Sequence, residues 1–152
     1  MSDLRELYQE TILDHGKRPR HFEPMREAHH SADGHNPLCG DRITIYVRVE
    51  GDRIERVTFQ GNGCAISMAS ASLMAEALTG RSLAEAERLF AAFHELVAGS
   101  GAPDEPVQLG KLHALAGVRE FPVRVKCATL AWHTLHAALE RAGQGGPVAT
   151  TE

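Results

Sequence analysis

Three cysteines are spread along the 152 residues. Each sits in a short segment suited to presenting a ligand: Asn36-Pro37-Leu38-Cys39-Gly40-Asp41, Gly61-Asn62-Gly63-Cys64-Ala65-Ile66-Ser67 and Arg124-Val125-Lys126-Cys127-Ala128. Three thiols and a carboxylate match the ligand count of a tetrahedral metal site. An odd number of cysteines in so short a chain argues against a disulfide framework, whereas metal binding and thiol chemistry need no pairing. Thiolates are soft donors that suit Zn²⁺, Cu(I) or iron–sulfur clusters, and one hard carboxylate among them fits Zn²⁺ or a labile iron site. The carboxylate also loosens a site that four thiolates would close, which favours ligand exchange over a purely structural role. Spacing adds little, because no two cysteines form a CxxC pair, and each taken singly reads equally well as a small buried hydrophobe. Gly40, Gly61 and Gly63 tip the balance, since they let the backbone come close to a ligand.

The elements that must bring these segments together can be read from periodicity. Leu4, Leu7, Tyr8, Ile12 and Leu13 recur at helical spacing, and Gly16 and Pro19 place the end of this helix near His15. From Arg42 to Glu50 the chain alternates, with Ile43, Ile45, Val47 and Val49 on one face, as in a half-buried strand. Gly51-Asp52 supplies a tight turn, and Arg53 to Gly61 returns to form a β-hairpin. Pairing Glu50 with Arg53 and continuing without interruption would set inward Ile45 against Thr58 and inward Val47 against Arg56. The hydrophobic pattern therefore predicts a one-residue slip at a bulge. In either register the ends carrying Cys39, Asp41 and Cys64 lie close, and Cys39 and Asp41 share the face of Ile43.

Beyond Cys64 a helical stripe runs through Ile66, Ala69, Ser70, Leu73, Ala77 and Leu78 to a cap at Gly80. Cys64 then stands at a helix N-terminus, where backbone N–H groups and the dipole favour a thiolate. Ser82-Leu83-Ala84-Glu85 is a capping box opening a helix with the stripe Leu83, Ala86, Leu89, Phe90, Phe93 and Leu96, stopped by the Gly99–Pro103 segment. A short apolar segment around Leu109, Leu112 and Leu115 follows. A last helix opens at Phe121-Pro122 and runs to Gly143, with Cys127 near its start and Arg124 one turn earlier on the same face. His29, His30 and His35 fall in a polar stretch that reads as a solvated loop, outside the ligand set. His133 and His136 lie off the spacing that would align them with Cys127, so core or surface roles are expected for them.

Composition sets the frame. With 43% hydrophobic and 24% charged residues the chain fits a single domain over 1–142, and the Gly-, Pro- and Thr-rich 143–152 reads as a disordered tail. A net charge of −4 gives no general pull toward nucleic acid, and the local Lys17-Arg18-Pro19-Arg20 cluster reads as a solvated face or a protein-docking patch. The N-terminus carries Asp3, Arg5, Glu6 and Glu10 where a signal peptide or membrane span would be apolar. A cytoplasmic setting with reduced thiols and no membrane contact is expected.

These segments together resemble the U-type iron–sulfur assembly proteins, the IscU/NifU-like family, and within it the SufU branch. The resemblance covers nearly the whole chain: Leu7-Tyr8, Ile12-Leu13-Asp14-His15 and Pro19-Arg20, the three cysteine segments, Ala69-Ser70-Ala71-Ser72, and Cys127-Ala128-Thr129-Leu130-Ala131-Trp132-His133. Gly16 and His21 depart from it, standing where an aromatic and an Asn are expected. The segment from about Gly80 to Val118 resembles the insertion that marks the SufU branch, and Lys126 stands where the scaffold branch has a His ligand.

The resemblance implies an α+β fold with a small antiparallel β-sheet and helices packed on one side, as in SufE/NifU-like proteins. It implies a Zn²⁺ site made by Cys39, Asp41, Cys64 and Cys127, and a zinc-dependent sulfurtransferase that accepts persulfide sulfur from a SufS-like cysteine desulfurase for the downstream iron–sulfur assembly machinery. Cys39 is the expected persulfide acceptor, being in a strand-end loop between Pro37 and Gly40, and Arg124 reads equally as a stabiliser of a thiolate or persulfide on the face of Cys127 or as a surface Arg paired with a carboxylate. Two other readings stay open. One is an IscU-type scaffold that assembles a transient [2Fe–2S] cluster on the same ligands, with iron in place of zinc. The other is a structural-zinc module that activates a desulfurase by contact.

Overall fold

The structure, a computed structural model, describes residues 2–26, 28, 30–37, 40–98, 110–140 and 148–150. The strongly alternating segment forms β2, Asp41–Glu50, the centre of an antiparallel meander with β1, His30–Asn36, and β3, Arg53–Asn62. Asp41, Ile43, Ile45 and Val47 of β2 are buried and the residues between them are not. The predicted slip is present. Val49 pairs with Ile54, but beyond a bulge at Arg48/Val49 the register shifts, so that Val47 meets Val57 and Ile45 meets Phe59. The bulge keeps both hydrophobic sets on one face.

Among the described residues α2, Ala65–Leu78, and α4, Pro122–Glu140, lie on the sheet, while α1, Ser2–Lys17, packs against α2 and α3, Leu83–Ala98, against α4. A 3₁₀ segment, Gly110–Glu120, joins α3 toward α4 and buries Leu112, Leu115 and Val118. The capping box of α3 forms as predicted, with Glu85 N–H donating to Ser82 Oγ at 3.1 Å and Ser82 N–H donating to Glu85 Oε1 at 3.0 Å. The Ser82 backbone N–H on Oε1, followed by the Ser82 hydroxyl and the Arg81 charge, holds the Glu85 carboxyl below its ordinary range. Trp132 of α4 stacks on Phe93 of α3 with centroids 4.7 Å apart, locking the segment read as an insertion onto the core. Among the described residues no helix is long and apolar enough to cross a membrane.

Several expectations are corrected. The polar stretch around His30 and His35, read as a loop, is strand β1, in full register with β2 from His30↔Val47 to Asn36↔Asp41. Its inward residues are Ala32, Gly34 and Asn36, small or polar side chains that leave no hydrophobic alternation to detect. They are small because α4 crosses there: a Cβ on Gly34 would run into Thr134 Oγ1, which is buried and bonded to Leu130 O at 2.7 Å. His29 lies outside the described residues. Within the segment read as a tail, Val148–Thr150 forms β4, a short parallel strand beside β1, giving the order β3-β2-β1-β4. The predicted stop near Gly99–Pro103 and the chain from 141 to 147 lie outside the described residues.

Helix α1 runs two residues past His15, because Gly16 can sit against Ala65: a Cβ there would be 3.2 Å from Ala65 Cβ. Leu13, read as part of the inner stripe, is 52% exposed, and the inner positions are Ile12 and His15. His21 adopts φ 62°, a left-handed conformation that Asn and His tolerate better than most residues, which accounts for its standing where an Asn is expected. Its carbonyl accepts from Phe59 N at 3.0 Å and so ties the connection after α1 to β3.

His15 is buried, with Nδ1 2.7 Å from Ser72 Oγ of α2. Burial, then the Arg20 charge, pushes its pKa down. The folded state therefore binds fewer protons than the unfolded chain, so the contribution is complete above the unfolded value of about 6.5 and is lost as pH falls through it toward the folded one. His133 acts in the same direction, through burial and then His94 and His136. In urea titrations of chelator-treated protein the midpoint should fall as pH drops from neutral toward 5, and His15→Gln should flatten that dependence without abolishing it. Separately, Gly34→Ala should lower stability by about 1–3 kcal/mol through overpacking, read as a shift in the same midpoint at neutral pH.

Candidate metal centre

Three elements converge at one end of the sheet. Asp41 opens β2 and is 1% exposed. Cys64 is the N-cap of α2, with φ −71° and ψ 167°, and its Sγ accepts from Ser67 N–H at 3.4 Å. Cys127 sits in the second turn of α4 and is fully buried. A carboxylate oxygen and the two sulfurs all lie within 4.8 Å of one another.

The carboxylate is held by two features of the Gly63-Cys64 corner. Cys64 N–H donates to Asp41 Oδ1 at 2.9 Å. A Cβ on Gly63 would stand 2.7 Å from the same oxygen, so only glycine leaves room for the carboxylate in this place. Asp41 Oδ2 is buried without a hydrogen-bond partner among the described residues. An ionised oxygen hidden without a donor is costly unless a cation meets it. Two sulfurs and that oxygen form a mixed soft and hard donor set matching a borderline divalent cation such as Zn²⁺.

Of the residues singled out from sequence, Asp41, Cys64 and Cys127 are thus brought together. Cys39 lies outside the described residues; its neighbours Asn36 and Gly40 are joined by Gly40 N–H donating to Asn36 O at 2.8 Å, with Gly40 at φ 73°. Arg124 is exposed on the first turn of α4, and no hydrogen bond or ion pair engages its guanidinium among the described residues. His30 and His35 of β1 are not in the metal-ligating group. His133 and His136 gather around Phe90, both with centroids 5.5 Å from it, in the α3–α4 contact rather than at the centre. In the basic cluster Arg20 bonds Asp14 at 2.7 Å and holds the Asp14 carboxyl below its usual range, while Lys17 and Arg18 stay exposed.

Two contributors were not read from the sequence as acting on the ligands. Gly63, which the sequence marks only as letting the backbone approach a ligand, is the space that the Asp41 carboxylate fills. Asn36, fully buried at the end of β1, donates from Nδ2 to Cys127 Sγ at 3.7 Å. Its adjacency to Pro37 in a cysteine-bearing segment was the available signal, but a contact with a residue 91 positions away has no local signature.

Residues 7–128 match the family model described as the NifU-like N terminal domain. Over 141 residues the chain is 43% identical to the "iron-sulfur cluster assembly scaffold protein IscU" of Streptococcus pyogenes serotype M1, covering 93% of this chain and 87% of that protein. Over 140 residues it is 39% identical to the "zinc-dependent sulfurtransferase SufU" of Bacillus subtilis strain 168, covering 92% and 94%. Among solved structures, one from Fervidobacterium islandicum AW-1, assigned as an iron–sulfur cluster assembly scaffold for the SUF system, superposes with a TM-score of 0.81 at 36% identity over 88% of this chain and 97% of that one. With the family model spanning most of the chain and these relatives matching along nearly all of it, the chain belongs to the NifU-like N-terminal domain family, alongside proteins named IscU and SufU.

Proposed function

We propose that this chain carries sulfur for iron–sulfur cluster assembly as a zinc-dependent sulfurtransferase, with Cys39, Asp41, Cys64 and Cys127 as the zinc ligands and a cysteine desulfurase as sulfur donor. The observation that carries this reading is the Asp41–Cys64–Cys127 group with its buried, unpartnered carboxylate oxygen. The name of the Bacillus subtilis relative supports zinc as the metal and sulfur transfer as the activity. When bound, zinc supplies a Lewis acid that keeps coordinated thiols deprotonated.

The chain's own residues divide the work. Cys127, without exposed surface, and Cys64, fixed as an N-cap, hold their places. Cys39 is the acceptor: its thiolate attacks the outer sulfur of the desulfurase persulfide, the S–S bond of that persulfide breaks, and the desulfurase cysteine leaves as a thiolate. The outer sulfur and its proton stay on Cys39 as a new persulfide, so atoms and electrons balance without an added oxidant or reductant. Arg124, exposed one turn before Cys127, offers a guanidinium unengaged among the described residues to the persulfide once that group has lost its proton. Cys39 is therefore the ligand that would exchange, while Asp41 is held in place by the Cys64 N–H at 2.9 Å.

A second reading, assembly of a [2Fe–2S] cluster as cargo on the same residues, is favoured by the scaffold name of the Streptococcus pyogenes relative. Lys126 weighs against it, because an ammonium has no lone pair to offer where the scaffold branch has a His. A contact activator needs no acceptor thiol at all.

Intact-mass measurement after incubating the zinc-loaded protein with a cysteine desulfurase and cysteine should show a one-sulfur adduct that is absent from Cys39→Ser. If the two proteins bind but no adduct forms, transfer is wrong. A brown protein after anaerobic iron and sulfide loading would then favour the scaffold, and desulfurase activation retained by zinc-loaded Cys39→Ser the contact activator. Gly63→Ala should weaken zinc binding about tenfold or more in chelator competition, with the metal-free unfolding midpoint near that of the wild type. Unchanged affinity would exclude Asp41 as a ligand.

A further inference from the structure

Asn36 belongs to the first cysteine segment, yet its side chain faces the cysteine of the last. It closes β1 opposite Asp41 in the ladder, is 0% exposed, and donates from Nδ2 to Cys127 Sγ at 3.7 Å. Cys127 is likewise 0% exposed. A thiolate buried to that degree needs compensating dipoles, and an amide N–H aimed at the sulfur is such a dipole. The bond also withdraws electron density from sulfur, making it a weaker nucleophile while leaving it charged. Cys64 differs in being only half-buried, and its donor is the backbone N–H of Ser67, part of the helix cap rather than a dedicated side chain.

We infer that Asn36 is a positioning residue that holds Cys127 as the retained thiolate ligand, confining thiol exchange at this centre to the other cysteines. This deepens the proposed function and rests on its metal reading. Side chains that hydrogen-bond a ligand fix its orientation and commonly set metal affinity by one to two orders of magnitude. Asn36 also links the two hairpin ends to α4 at the ligand itself, so that β1, β2 and α4 cannot separate while Cys127 stays bound.

The test uses the intact chain, ¹⁵N-labelled and loaded with ¹¹³Cd as a thiophilic substitute. A scalar coupling should cross the N–H···S–Cd path from cadmium to a side-chain amide proton of Asn36, with the Ser67 N–H on Cys64 as the internal comparison. In parallel, Asn36→Ala should bind zinc about ten- to hundredfold more weakly in chelator competition, and in the zinc-loaded protein Cys127 should gain alkylation rate relative to Cys64. Asn36→Asp, which keeps the shape and removes the donor, should show the same two changes. Coupling to Ser67 but not to Asn36 would overturn the assignment, even if the variants fail to fold. So would variants that retain wild-type affinity and Cys127 protection. Failure of the wild type to bind cadmium or zinc at all would instead strike the metal reading beneath it.

Discussion

The contact between the Asp41 carboxylate and the backbone N–H of Cys64 joins the start of a strand to the start of a helix, and much else follows from it. It can form only if β3 delivers its last residues beside the first residues of β2. That depends on the Arg48/Val49 bulge having already brought Arg42 opposite Asn62. It also requires a glycine at 63, because any Cβ would occupy the carboxylate's space. The same bond supplies one of the free N–H groups at the beginning of α2, while the Cys64 sulfur takes the N–H of Ser67. Capping α2 and orienting two candidate metal-ligating side chains are therefore one arrangement.

Around this corner the molecule separates stiff parts from accessible ones. Cys127 and Asn36 are enclosed where α4 crosses β1, at an interface close enough to require Gly34 below Thr134. The α3 and 3₁₀ elements add a second packing layer through Trp132, Phe93 and Leu115, remote from the ligands. Phe121, just before α4, and Val123 and Arg124 in its first turn are exposed. Cys127 is fully buried while Cys64 is only half-buried, a contrast that suits chemistry in which some ligands stay fixed while another exchanges. Buried polar atoms give the arrangement its specificity, since a single orphan oxygen on Asp41 is tolerable only where a cation can meet it.

What could be read from the chain alone depended on how local its physical cause was. The β2–β3 hairpin, its bulge, the capping box at Ser82 and the cap role of Cys64 all follow from patterns within a few residues, and all are present. Strand β1 escaped because the face it buries carries Ala32, Gly34 and Asn36, chosen by the closeness of α4 rather than by hydrophobic transfer. The inner face of α1 was misread at Leu13 for a related reason: His15 takes the buried place by bonding Ser72 of α2, a partner 57 positions away.

The candidate metal-ligating residues could thus be picked out from the sequence itself, through residue type, flanking glycines and strand parity, because those are local choices of chemistry. Which atoms meet was decided only by tertiary structure: Oδ1 of Asp41 against a backbone N–H, Oδ2 left for a cation, and the Asn36 amide aimed at the Cys127 sulfur. Such contacts join residues separated by most of the chain. They exist because a strand end, a helix N-terminus and a helix turn are forced into the same few ångströms by the packing of one hydrophobic core.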